Sequence, residues 1–169
     1  MITSAYRVLI LSLVIFVLAF ATHEVMHLLV LYAVGGSGSI VLRPWRLAFF
    51  DASIFALHVQ PDQPVGTVRQ AIVNFLGPTL AAIPLVIVLA YVRERAVRIA
   101  LIANIAILGF FAIIETVDYL AESVLDVDYP MLTTPEFNYG VPLLIFISAA
   151  YGVALGWWSH DRSAGRHRV

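Results

Sequence analysis

His23, Glu24 and His27 are the residues of this 169-residue chain whose types and spacing could do chemistry, in the run His23-Glu24-Val25-Met26-His27. On a helix, histidines four residues apart project from one face and can hold one zinc ion between them, with the intervening glutamate close enough to act on a metal-bound water. The run lies inside an apolar stretch long enough to cross a membrane. There each ionisable group costs about 2.5 to 3.5 kcal/mol on insertion scales, so three of them within one helical turn are expected to bind something. Catalytic zinc takes three protein ligands and keeps one position open, so a third ligand must come from elsewhere in the chain. The chain has no cysteine, which leaves His, Asp and Glu. Glu115 and Asp118 share one helical face in an otherwise apolar segment, and either could complete the set.

Other polar residues at comparable depth are candidates to shape such a site. Gly77-Pro78 would let helices approach closely and would free a backbone carbonyl, and Asn74, one turn earlier, could hydrogen-bond between helices. His58 would matter as a fourth ligand, because four protein ligands close a zinc site and make it structural. His160 and His167 lie in a polar, arginine-bearing tail over residues 159–169 and are assigned no chemistry.

The elements that must position these residues are membrane helices. Hydrophobic residues make up 61% of the chain and charged ones 12%, about half the share in a soluble domain, and mean hydropathy is +0.91. Four apolar segments reach or approach the roughly 20 residues needed to span a bilayer. They predict helices over residues 6–34, 68–92, 99–121 and 141–158, hence an all-α, multi-pass integral membrane protein, most simply of the cell membrane, forming a single domain over residues 1–169. The first segment lacks an Ala-x-Ala cleavage pattern and is not read as a removable signal peptide, and Gly35-Gly36-Ser37-Gly38 ends it as a C-terminal glycine would. Residues 39–64 are too interrupted to span as a helix but hold β-forming runs at 40–42, 45–50 and 54–59. They predict a short re-entrant or interfacial β segment turning at Asp51-Ala52-Ser53. Net charge is −1, with no basic surplus of the kind nucleic acid selects, so the partners expected are the bilayer and a membrane-embedded substrate.

This order of features resembles the site-2 protease family of intramembrane zinc metalloproteases, over about residues 14–121: His-Glu-x-x-His on one membrane helix, a Gly-Gly break with predicted strands, Gly-Pro on the next helix, then an Asp. The resemblance implies Zn2+ as cofactor, His23 and His27 as ligands, Glu24 as catalytic base, Asp118 as third ligand with Glu115 the alternative, and peptide hydrolysis within transmembrane protein substrates. A minimal core without a PDZ or CBS domain fits this length. Two other readings fit the motif: a non-catalytic binding protein on the same fold, and a zinc hydrolase acting on lipid. Orientation divides the arguments. Arg7, Arg93, Arg95, Arg98, Arg162, Arg166 and Arg168 fall on one side and Arg43, Arg46 and Arg69 on the other, which predicts both termini inside and the motif in the outer half. The family resemblance implies a metal nearer the cytoplasm.

Overall fold

The computed structural model describes residues 2–47, 53–129, 132 and 134–165. Four long helices carry the fold, α1 (Ile2–Ala33), α2 (Thr67–Tyr91), α3 (Arg95–Leu125) and α4 (Pro135–Gly165), with strands β1 (Gly38–Arg46) and β2 (Ser53–Pro61) between the first two. All four helices are long and apolar enough to cross a membrane. Large apolar side chains such as Val17, Leu18, Val86, Ile87, Ile113 and Leu144 are exposed on every one of them, as lipid-facing surfaces require.

Local chemistry sets the ends of these helices. α1 stops where Gly35 takes a left-handed φ of 83° and the Gly36 N–H reaches back to Leu31 O at 2.9 Å. α2 turns into α3 through three residues. There the Glu94 carboxylate accepts the Ala96 and Val97 N–H groups, and Arg98 donates to Val92 O and Leu89 O at the end of α2. Asp126 closes α3 in the left-handed region at φ 54°, a conformation its short polar side chain tolerates. Thr134 Oγ1 caps α4 through the Phe137 N–H, with Pro135 in the first turn, where a missing N–H costs nothing.

Both ends of α3 and of α4 differ from the sequence expectation. α3 begins at Arg95 rather than 99, because Glu94 is a capping residue and not part of a solvated loop. It also runs to Leu125, past the expected end at 121. α4 begins at Pro135 rather than 141, and its backbone stays helical to Gly165, so most of the polar tail continues the helix. The turn expected at Asp51-Ala52 lies outside the described residues, as do His167, Arg166 and Arg168.

The β segment is an antiparallel pair in register from Gly38↔Pro61 to Arg46↔Ser53. Around it α1 is central, packing against the other three helices and both strands. Leu31 and Val30 of α1 meet Val59 of β2 and Val73 of α2 in one buried cluster. A second buried cluster joins Ile107 and Phe111 of α3 to Phe146 of α4, with Phe16 of α1 against it. The two clusters hold α1, α2, α3 and β2 around the residues described next.

Candidate metal centre

His23, Glu24 and His27 are all buried on the inner face of α1. A four-residue step on an α-helix turns 400°, so the imidazoles lie side by side, ring centroids 4.4 Å apart and planes tilted by 43°, and their Nε2 atoms lie 2.6 Å apart. Glu115 of α3 reaches both rings. Its Oε1 is 3.3 Å from His23 Nε2 and its Oε2 is 3.0 Å from His27 Nε2. Donor atoms of His23, His27 and Glu115 all lie within 4.8 Å of one another, and among the described residues this trio alone could hold a metal ion.

The two histidines are held by different means. His27 Nδ1 lies 3.0 Å from Val73 O of α2, and because a carbonyl only accepts, Nδ1 carries the proton and Nε2 of the neutral ring keeps the lone pair. Backbone partners of this kind fix the tautomer of metal-binding histidines. Contact with α2 at this level requires Gly77: a Cβ there would fall 2.6 Å from Cγ and Cε1 of the His27 ring, far inside contact distance. His23 is oriented by ring packing, with Phe111 stacked at 6.0 Å and Phe20 edge-on at 5.9 Å, and its buried Nδ1 has no hydrogen-bond partner among the described residues. Its Nε2 therefore points at the same spot as that of His27. Acceptor atoms converging this closely repel one another unless a cation or shared proton lies among them.

Glu115 is placed by α2. Asn74 Nδ2 donates to the Glu115 carbonyl oxygen at 3.2 Å, and Gln70 Nε2 donates to Asn74 Oδ1 at 2.8 Å, tying α3 to α2 at the donor set. Pro78, fully buried, has no N–H for Asn74 O, which loosens the α2 ladder at this level. Asp118, the third ligand implied by family resemblance, is not brought to the histidines. Three residues advance an α-helix by about 4.5 Å, so its carboxylate falls further towards the end of α3, on the wall of the same cavity. The carboxylate that the structure sets against both imidazoles is that of Glu115.

Glu24 stands beside the donors but outside the trio. Its Oε2 accepts the Val59 N–H of β2 at 3.0 Å, so the strand pair is pinned directly to this carboxylate. Val59 is a contact sequence reasoning missed, because a backbone N–H leaves no mark on residue type. Donors and Glu24 line a cavity of about 510 Å³. Phe20, Phe111 and Leu31 give it apolar walls, and Arg43, His58, Asp118, Glu122 and Asn138 bring polar groups to it. Burial and the nearby Arg43 guanidinium hold the His58 pKa below its usual 6.5, so this ring is neutral at pH 7. His58 does not join the metal-holding group, which leaves that group three-membered among the described residues.

No protein family, no curated protein and no solved structure matches the chain.

Proposed function

We propose that this protein is an intramembrane zinc hydrolase that cuts peptide bonds of membrane-embedded proteins, as the site-2 protease family does. The observation that carries the reading is the convergence of His23 Nε2, His27 Nε2 and Glu115 on one point, with Glu24 alongside but outside the donor set. Two imidazoles and a carboxylate suit zinc and form a set that leaves one coordination position open, whereas a structural zinc site takes four protein ligands. Zinc held there would polarise a scissile carbonyl and lower the pKa of water.

The chain's own residues supply the rest. With Oε2 held by Val59, Glu24 keeps Oε1 to take the proton from the attacking water and deliver it to the leaving amine. The Val73 carbonyl and the Phe111 and Phe20 rings keep both histidines aimed at the donor point through this transfer. A substrate helix must unwind before its carbonyl can enter, and β2, lying against Glu24, offers a peptide edge to hold it extended. The aromatic and aliphatic walls exclude lipid, and the polar residues of the cavity admit water.

Elemental mass spectrometry of detergent-purified protein tests the metal assignment. About one zinc per chain is expected in wild type and in Asp118→Asn, and little in His27→Ala or Glu115→Gln. Wild type that is metal-free and cannot be reloaded sinks the reading, and zinc loss in Asp118→Asn with retention in Glu115→Gln reverses the ligand assignment. Glu24→Gln should keep its zinc and fail to cleave a single-span reporter protein in the same membranes. Normal cleavage by that variant removes Glu24 from the base role.

A further inference from the structure

The two ends of the bundle differ in kind. At one end lie the start of α1, the α2–α3 turn and the end of α4; it carries Arg7, Arg93, Arg95 and Arg98 against the single carboxylate Glu94 among residues whose side chains are described. Tyr6 and Tyr91, 61% and 82% exposed, stand at the same level, as interfacial aromatics do. At the other end lie the strand pair and the α3–α4 connection. Arg43, Arg46 and Arg69 are there with Asp62, Asp118, Glu122, Asp126, Asp128 and Glu136.

Helical rise locates the donor set between these ends. At 1.5 Å per residue, His23 lies about 25 Å along α1 from the Tyr6 level, Glu115 about 30 Å along α3 from Arg95, and Val73 about 27 Å along α2 from Tyr91. Three helices thus agree, and the hydrocarbon core is about 30 Å thick. The donor set lies about 25 to 30 Å from the arginine-rich end, a distance close to the full thickness of that core. The polar residues Arg43, Asp118 and Glu122 of its cavity belong to the opposite end. Arginine excess marks the cytoplasmic side of a multi-pass protein, and neighbouring carboxylates weigh little in that bias.

We infer that the donor set works at the outer boundary of the bilayer, opening away from the cytoplasm, and that its substrate is the extracytoplasmic juxtamembrane segment of a membrane-anchored protein. The substrate clause rests on the hydrolase reading, whereas the sidedness of the cavity does not: it follows the arginine distribution and is opposite to the sidedness that resemblance to the site-2 protease family implies. A boundary site needs to unwind only the end of a substrate helix, where the last turn already lacks backbone partners.

The absence of native cysteine makes the test clean. Single cysteines are introduced as Asp62→Cys beside β2, Glu122→Cys at the cavity and Val92→Cys in the α2–α3 turn, each first shown to react with a maleimide in detergent. In bacterial spheroplasts a membrane-impermeant maleimide is expected to label Asp62→Cys and Glu122→Cys at once, and Val92→Cys only after permeabilisation. Labelling of Val92→Cys in sealed spheroplasts, or protection of either of the other two until permeabilisation, overturns the inference. Repeating the labelling in the Glu24→Gln background separates this outcome from any failure of the hydrolase reading, since labelling requires neither metal nor turnover.

Discussion

Gly77 is the residue on which the geometry of His27 depends most directly, although it has no side chain to touch the ring. The ring of His27 occupies the space a side chain there would fill. In Gly77→Ala the added methyl must push the imidazole from its Val73 partner or spread α1 from α2. Overpacking of this kind costs about 1–3 kcal/mol, and zinc affinity should fall about 10–100-fold, the usual size of an outer-shell loss. Competition titration with a zinc-binding dye checks this, and unchanged affinity would mean that the helices part without disturbing the ring. At this scale the sequence was partly legible. The spacing of His23, Glu24 and His27 named three of the four central residues, because a four-residue step has one outcome on a helix. The choice between Glu115 and Asp118 was not legible. They differ by less than one turn, and the expected start of α3 was itself four residues late, so residue type alone set the depth of neither. Backbone partners such as Val73 O and Val59 N–H were invisible in principle.

At the scale of elements, the α2–α3 turn is held by one half-exposed carboxylate, that of Glu94. Backbone N–H groups of Val97 and Ala96 hold the Glu94 pKa below its usual 4.5, with a smaller contribution from Arg7. A carboxyl lowered by folding stabilises the fold above its unfolded pKa and loses that contribution as pH falls through the folded value. Thermal unfolding in detergent should therefore find wild type above Glu94→Gln in Tm at pH 7, with the gap closing as pH drops below 4.5. A gap independent of pH would assign the difference to packing instead. The four spans were readable because apolar runs of this length have few other uses. The start of α4 was missed for a specific reason: Glu136, Asn138 and Tyr139 look too polar for a span. Yet Asn138 bonds Leu132 O and Thr134 O, and Thr134-Pro135-Glu136 is a helix-start signature present in the sequence.

For the molecule as a whole, the donor set acts as a clasp between α1 and α3, two helices separated in sequence by the strand pair and α2. A ligand bound only by the folded state adds stability as RT ln(1 + [L]/Kd), about 4 kcal/mol at a thousandfold excess over Kd. Stripping zinc with a chelator should lower the Tm of wild type by several degrees and leave His27→Ala unmoved. An equal shift in both would place the chelator's effect elsewhere. The clasp also sets an order of events during synthesis. His23, Glu24 and His27 lie in the earlier of the two helices, and Glu115 is 88 residues beyond His27. At translation rates of about 5–20 residues per second, some 4 to 18 seconds separate their emergence from the ribosome. Through that interval β2 and α2 emerge first, so the Val59 N–H and the Val73 carbonyl reach Glu24 and His27 before the carboxylate of Glu115 does.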